Sequence, residues 1–230
     1  MANSPDPHGN PRPAVLFDID GTLVDSNYLH VHAWQRAFTE IGRPVEAWRI
    51  HRSIGMDGST LVDTLSGGAA EDVQQRLKDL HTRYYEASGA LLTTLPGAQR
   101  LLRRVAALDL QVVLATSAPE SELALLRSTL DCEDVISAIT SSEDVEQAKP
   151  DPGIVEVALA KAGVTADRAV FVGDAVWDVE ASKRAGVPCI AVLSGGVSRG
   201  ELQEAGAAAV FDNADDLCEH LDGTVIASLS

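Results

Sequence analysis

The 230-residue sequence is poor in basic side chains: 18 lysines and arginines stand against 34 aspartates and glutamates, which gives a formal charge of −16 at pH 7. A surface of this sign repels nucleic acid at long range, so we expect no nucleic-acid partner. The same field repels a phosphorylated small molecule. A site for such a molecule therefore needs a local metal ion or lysine to reverse the field.

Cysteines and long apolar runs are also scarce. The three cysteines, Cys132, Cys189 and Cys218, are an odd number without paired spacing, which argues against a disulfide framework and a zinc site. No apolar run approaches the length of a membrane span, and residues 1–13 are polar and proline-rich, unlike a secretory signal. We therefore expect a soluble cytoplasmic protein with no membrane partner, whose residues 1–12 form a disordered tail.

Strands and helices alternate along most of the chain. After a first buried strand that ends at Phe17, short apolar runs predict strands at 111–115, 135–139, 169–172, 188–193 and 208–211. Helical patterns lie between them, at 98–108, 119–130, 152–163, 176–185, 199–205 and 214–221. This order predicts an α/β fold, with a Rossmann-like parallel sheet that carries helices on both faces.

Residues 26–94 differ from the rest of the chain. They contain most of the aromatic side chains, and apolar residues such as Val31, Trp34 and Phe38 recur at helical spacing without any apolar strand. We therefore expect an inserted all-helical domain at 26–94, and a Rossmann-like core made of residues 13–25 and 95–230.

Two carboxylates, Asp18 and Asp20, directly follow the first strand. One aspartate can attack phosphorus as a covalent nucleophile, while the other donates a proton to the leaving oxygen and later accepts one from water. A divalent metal such as Mg²⁺ favours such oxygen ligands. Two acids with this spacing are common, however, and taken alone they are more often two solvated acids in a loop.

Polar residues also follow two later strands. Thr116 and Ser117 lie just before a helix, where they either bind an anion with the free backbone amides or simply cap the helix. Asp174 closes a strongly apolar strand and Asp178 lies in the next helical turn. These two acids are either part of a metal site or stabilised by the helix dipole alone.

Lys149 lies in the segment Lys149-Pro150-Asp151-Pro152. Pro150 disfavours a helical conformation for Lys149, and Asp151 with Pro152 suits the N-cap and first position of the following helix. Lys149 can then reach back to the strand ends and bind phosphate, although a lone lysine is more often solvated. Because ligands bind outside the carboxyl ends of parallel strands, we expect Asp18 and Asp174 to share one dication there.

These residues together resemble the four motifs of the haloacid dehalogenase superfamily of phosphohydrolases, over about residues 14–220: Asp18-Ile19-Asp20-Gly21-Thr22, Thr116, Lys149, and Gly173-Asp174 with Asp178. The helical insertion is similar to the cap of the phosphoglycolate phosphatase and β-phosphoglucomutase branch. The resemblance implies a Mg²⁺-dependent phosphatase that hydrolyses a small phosphorylated metabolite through an aspartyl-phosphate.

The resemblance also implies a role for each residue. Asp18 is the nucleophile, and Asp20 is the general acid and base. Three groups hold the phosphoryl oxygens: Thr116, the amide of Ser117, and Lys149. Three groups bind Mg²⁺: Asp18, the backbone carbonyl of Asp20, and Asp174. Asp178 supports Lys149 or a metal-bound water.

Three other functions compete with a phosphatase. His30 aligns with a cap histidine that assists the general acid of β-phosphoglucomutases, which favours a phosphosugar mutase, although His30 can also simply pack at the helix edge. The loop at 55–58 lacks the arginine of the mutases. Asp20 argues against a dehalogenase. A receiver-like phospho-signalling module is a remote alternative. In such modules the phosphorylated aspartate ends an inner strand and no insertion follows, whereas here Asp18 follows the first strand and the helical insertion comes directly after it.

Overall fold

The structure is a computed structural model, and it describes residues 11–144 and 149–229. Most of the tail predicted to be disordered, residues 1–10, lies outside the described residues. Arg12, the last residue of that tail, donates a hydrogen bond to Asp109 at 2.7 Å, and its carbonyl accepts one from Gln111 at 2.6 Å.

Eight strands are described: β1 Ala14–Phe17, β2 Val24–Asp25, β3 Thr93–Thr94, β4 Gln111–Ala115, β5 Ile136–Thr140, β6 Ala169–Gly173, β7 Cys189–Val192 and β8 Ala209–Phe211. Six of them form one parallel sheet in the order β5-β4-β1-β6-β7-β8. The predicted parallel sheet is confirmed, and the predicted strands agree with it to within one residue at most ends. β1 lies between β4 and β6, so the ends of these three strands are adjacent.

Ten α-helices are described: α1 Asn27–Glu40, α2 Ala47–Ser53, α3 Gly58–Ser66, α4 Glu71–Ala87, α5 Ala98–Ala107, α6 Glu120–Leu130, α7 Gly153–Ala162, α8 Val176–Arg184, α9 Arg199–Ala205 and α10 Ala214–Glu219. Among residues 11–144 and 149–229, none is both long enough and apolar enough to cross a lipid bilayer.

Helices cover both faces of the sheet, as the α/β pattern predicts. Alternate residues of the buried strands point to opposite faces: Phe17 packs with α5, α6 and α10, whereas Leu16 packs with α7, α8 and α9. The sheet is therefore buried on both sides, which explains why its strands are continuous apolar runs.

Helices α1 to α4 lie between β2 and β3 and have a separate apolar core. Trp34, Phe38, Leu61 and Leu77 are among its buried side chains. The chain enters and leaves this segment through the antiparallel pair β2–β3. The sequence does not reveal this pair, because a strand of two residues is too short for a hydrophobic pattern.

Two predicted helix starts are displaced by one residue. α6 begins at Glu120 with Pro119 as its N-cap residue, and α7 begins at Gly153 with Pro152 as its N-cap residue. The prediction that Asp151 is the N-cap residue is therefore wrong. Its carboxylate still accepts a hydrogen bond from the backbone amide of Gly153 at 3.0 Å. Lys149 still precedes the helix.

Candidate active site

A cavity of about 690 Å³ lies at the carboxyl ends of the central strands, where the segment α1–α4 faces the sheet. Its lining includes every predicted site residue except Asp178: Asp18, Asp20, His30, Thr116, Ser117, Lys149 and Asp174. Topology explains the convergence, because Asp18 follows β1, Thr116 follows β4 and Asp174 follows β6. The expectation that the strand ends gather these residues is met.

Asp18 is buried directly beyond β1. Its backbone amide continues the sheet by donating to the carbonyl of Val172 at 2.9 Å, and its Oδ1 lies 2.5 Å from the Nζ of Lys149. Burial raises the pKa of Asp18 to about 7, and the neighbouring Asp178 and Asp20 carboxylates add to the rise, while Lys149 opposes it. The carboxylate that would attack phosphorus is thus poorly solvated and depends on cations.

Lys149 is not a solvated surface lysine. Its side chain is 1% exposed, and its ammonium lies between Asp18 and Asp178 Oδ1, which is 2.7 Å away. Burial disfavours the charged form, but Asp178 and Asp18 outweigh burial and raise the pKa of Lys149. The ammonium therefore stays charged at the edge of the cavity, where an anionic phosphoryl group can reach it.

Asp174 and Asp178 are held by dedicated donors. Asp174 accepts hydrogen bonds from the Thr22 hydroxyl and the Asn27 amide, both at 2.9 Å. The Oδ2 of Asp178 accepts the backbone amides of Asp174 and Ala175 at 3.1 and 3.0 Å. Asp178 thus stabilises the start of α8, in addition to pairing with Lys149.

The donor set fits a divalent cation. Asp18, Asp174 and Asp178 are buried, and each offers a carboxylate oxygen within 4.8 Å of the others. Burial also raises the pKa of Asp174 well above its usual value, and the Asp178 and Asp18 carboxylates add to the rise. When all three carboxylates are ionised, Lys149 neutralises only one of them, so a further cation is needed to balance the cluster. Carboxylate oxygens are the ligands that Mg²⁺ prefers.

The Asp20 side chain takes no part in this carboxylate cluster. Its Oδ1 accepts a hydrogen bond from the Ser26 hydroxyl and lies 3.1 Å from the Nε2 of His30. Burial alone would raise the pKa of Asp20, but His30 and Ser26 outweigh it and lower the pKa. Asp20 conversely raises the pKa of His30 against the effect of burial. Asp20 and His30 therefore form a pair that shares a proton beside the cavity.

Thr116 and Ser117 line the cavity, and neither caps a helix. The Oγ1 of Thr116 accepts a hydrogen bond from the backbone amide of Ala118 at 3.0 Å. The Thr116 carbonyl accepts one from the hydroxyl of Thr140, also at 3.0 Å. α6 starts later, and its N-cap residue is Pro119. The capping interpretation is therefore wrong for both hydroxyls, and binding of an anion stays a prediction.

Four residues of the site were not predicted from the sequence as site residues. Ser26 and Asn27 begin α1 beside Asp20 and Asp174, while His81 and Glu122 continue the contacts of His30. A signal existed for Ser26 and Asn27, because two polar residues follow the strand and turn that carry Asp18. No local pattern distinguishes His81 and Glu122, which are single polar residues on amphipathic helices.

Comparisons with known proteins identify the family of the chain and relatives with a similar fold. Residues 15–192 match the model of a family described as haloacid dehalogenase-like hydrolase. A phosphoglycolate phosphatase of Rhodospirillum rubrum is 34% identical over 210 residues, which are 87% of either chain. A phosphorylated carbohydrates phosphatase of Thermotoga maritima is 29% identical and covers 86% of this chain and 93% of its own. The crystal structure of a hydrolase from Pseudomonas syringae has a TM-score of 0.88 at 36% identity, over 92% of this chain and 99% of its own.

Proposed function

The chain belongs to the haloacid dehalogenase-like hydrolase family, and we propose that it is a Mg²⁺-dependent phosphatase for a small phosphorylated metabolite. One observation carries the proposal: the buried Asp18, Asp174 and Lys149 meet at the mouth of the sheet, inside a cavity large enough for a small ester. The receiver-like alternative loses its support, because family membership accounts for the same residues.

The first step forms an aspartyl-phosphate. An Asp18 oxygen attacks phosphorus, and the bond between phosphorus and the ester oxygen breaks while the new bond forms. The pair Asp20–His30 gives its proton to the departing oxygen. Asp18, Asp174 and the Asp20 carbonyl would hold Mg²⁺, which would supply positive charge to neutralise the phosphoryl oxygens. Lys149, Thr116 and the Ser117 amide orient the same oxygens.

The second step returns Asp18 to its free form. The Asp20 carboxylate takes a proton from a water molecule, whose oxygen attacks the phosphorus of the aspartyl-phosphate. The bond between phosphorus and Asp18 breaks, and inorganic phosphate leaves. Asp20 is then protonated again and ready to act as the acid of the next cycle.

The preferred substrate in this proposal is phosphoglycolate or a similar carboxylated phosphoester. The relative from Rhodospirillum rubrum carries the name phosphoglycolate phosphatase. The cavity contains two cations besides Lys149, namely Lys78 on α4 and Arg184 at the end of α8. Either cation can pair with the second acidic group of such a substrate.

A phosphosugar mutase is the second candidate, favoured by the 3.1 Å contact between His30 and Asp20. A mutase returns the phosphoryl group to a sugar hydroxyl, so its product is an isomeric sugar phosphate. The loop at 55–58, which lines the cavity without an arginine, weighs towards hydrolysis. Product analysis by ³¹P NMR with hexose phosphates separates the two, because hydrolysis alone yields free phosphate.

The decisive experiment is a phosphate-release screen with phosphoglycolate, sugar phosphates, nucleotides and p-nitrophenyl phosphate, with Mg²⁺ or with excess EDTA. We expect Mg²⁺-dependent release from at least one ester and loss of it in Asp18→Asn. Asp72→Asn, which changes an exposed aspartate at the start of α4, serves as the matched control and should keep full activity. Full activity in EDTA or in Asp18→Asn would contradict the proposal.

We also propose that residues 26–94 act as a cap over a core of residues 13–25 and 95–230, and that the protein works in the cytoplasm. The segment α1–α4 supports the first part, since it has its own apolar core and contributes to the cavity lining. Three buried, unpaired cysteines, Cys132, Cys189 and Cys218, support a reducing compartment.

A further inference from the structure

A line of four side chains runs from Asp20 away from the cavity centre. His30 lies 3.1 Å from Asp20 through Nε2 and 3.0 Å from the Nε2 of His81 through Nδ1. The other nitrogen of His81, Nδ1, lies 3.4 Å from Oε1 of Glu122. Two imidazole rings therefore connect a buried glutamate to the predicted general acid.

Aromatic rings hold both imidazoles in place. Tyr85 stacks on His30 with ring centroids 4.0 Å apart and 11° between the planes, and Trp34 stacks on His81 at 4.0 Å and 18°. The planes of the two histidine rings are parallel to within 11°, with centroids 5.2 Å apart. With one face of each imidazole covered, ring rotation is restricted and each nitrogen keeps its partner.

The charge on Glu122 determines which nitrogen of each imidazole carries a proton. Burial raises the pKa of Glu122 to about 6, so it is an anion at neutral pH and can only accept. Burial and the neighbouring His30 lower the pKa of His81 well below its usual value, which makes it a neutral ring with one N–H. The Oε1 of Glu122 accepts the Thr82 hydroxyl at 3.4 Å and faces Nδ1 of His81 at the same distance, so the anion favours the N–H of His81 on Nδ1. Nε2 of His81 is then left as an acceptor, which requires a proton on Nδ1 of His30.

We propose that Glu122 and His81 are positioning residues that fix the Nδ1–H tautomer of His30 and so keep its Nε2 for Asp20. The proposal rests on the phosphatase function proposed above. It extends to these four residues the logic of catalytic triads, in which a buried carboxylate orients the histidine that exchanges a proton with the reacting group.

The line also crosses between the two parts of the molecule. Asp20 and Glu122 belong to the sheet-bearing part, whereas His30 and His81 lie on α1 and α4 of the inserted segment. All four side chains can therefore be aligned only while the segment α1–α4 is closed over the sheet. Closure thus orients the general acid at the same time as it covers the substrate.

The test compares the wild type with Glu122→Gln and with Glu120→Gln, an exposed glutamate one half-turn away on the same helix. Long-range ¹H–¹⁵N spectra of the EDTA-treated full chain, recorded at a pH high enough to leave His30 with a single ring proton, report the tautomer of each histidine. We expect His30 to carry its proton on Nδ1 in the wild type and in Glu120→Gln, and to become a tautomer mixture in Glu122→Gln. His81→Gln is a second variant, for which the same loss at His30 is expected.

Kinetics give an independent measure. Glu122→Gln should lower kcat about tenfold or more for an alkyl phosphate, whose leaving oxygen needs a proton, and much less for p-nitrophenyl phosphate. An unchanged His30 tautomer in both variants would overturn the proposal, as would histidine signals that shift on added Zn²⁺ with His30, His81 and Glu122 as ligands. If the wild type hydrolyses no ester, the proposed function fails, while the spectra still decide the role of Glu122.

Discussion

At the scale of single residues, the site is governed by unbalanced charge. Asp18, Asp174 and Asp178 are buried within 4.8 Å of one another, with Lys149 as the cation between two of them. Ionising all three carboxylates without a further cation is costly, because water cannot solvate them. The raised pKa values of Asp18 and Asp174 express this cost.

Magnesium affinity should consequently depend on pH. The pKa of Asp18 is raised to about 7 and that of Asp174 well above its usual value, so protons compete with Mg²⁺ for these oxygens around and below pH 7. Affinity should fall up to about tenfold per pH unit below 7 for each displaced proton. The rise in Tm on adding Mg²⁺ is expected to be larger at pH 8 than at pH 6, as measured by calorimetry. Equal shifts at both pH values would contradict this account.

Lys149→Met tests the ion pairs. The variant keeps the apolar stem but leaves Asp18 and Asp178 buried without their cation, which should cost about 3–5 kcal/mol in urea unfolding at pH 8 with EDTA. Phosphatase activity should be lost as well. The control is Lys161→Met, which removes a partly exposed partner of Asp144 and should cost about 1 kcal/mol or less. A similar loss in both variants would argue against a special role for the buried pairs.

At the scale of elements, the turn after β1 leads from Asp18 to Thr22 and Asn27, which donate hydrogen bonds to Asp174. Gly21 in this turn has a φ of 74°, and a Cβ there would lie 2.3 Å from Nδ2 of Asn27 and 2.6 Å from Oδ2 of Asp174. A glycine is therefore needed for its backbone conformation and for the space that Asn27 and Asp174 occupy.

Gly21→Ala should accordingly weaken Mg²⁺ binding at least about tenfold, because the Cβ must displace Asn27 or Asp174 as well as strain the backbone. Isothermal titration with Mg²⁺ measures the effect. Gly67→Ala is the matched control, since Gly67 has a φ of 68° and no atom within 4 Å of the added Cβ. It should cost only the backbone strain, about 1–2 kcal/mol of stability, and leave Mg²⁺ binding unchanged. Unchanged Mg²⁺ binding in Gly21→Ala would refute the packing argument.

At the scale of the whole molecule, the chain has to capture an anion despite a charge of −16. The cavity lining includes three cationic side chains, Lys78, Lys149 and Arg184, which offset the negative charge locally. The cavity is formed jointly by the sheet and by the segment α1–α4. The two parts are connected by the antiparallel strands β2 and β3. A short ribbon of this kind suits a hinge, which needs only a few residues.

Closure is open to a direct measurement. In small-angle X-ray scattering, beryllofluoride with Mg²⁺ mimics the phosphorylated Asp18 and should reduce the radius of gyration of the wild type. Asp18→Asn, which cannot form that adduct, should show no reduction. A wild-type radius that does not respond to beryllofluoride would count against a moving cap.

The sequence by itself determined the architecture and the main acidic cluster. Apolar runs that alternate with helical patterns specify a parallel sheet, and parallel strands place their carboxyl ends along one edge. Asp18, Thr116 and Asp174 are therefore expected along that edge, and the adjacent positions of β4, β1 and β6 in the sheet bring them side by side. The resemblance to a known family added the roles of these residues, which stay predictions until the variants are measured.

Only the tertiary structure decided what surrounds that cluster. Burial of Lys149 between Asp18 and Asp178 depends on the position of residues 149–152 before α7. The line from His30 through His81 to Glu122 depends on the rotation of α1, α4 and α6. His30 and His81 are 51 residues apart, and no periodicity in the sequence connects them. The succession of strands and helices along the chain follows from local patterns. The order of the strands in the sheet and these side-chain contacts follow from packing across the whole chain, which the local sequence does not encode.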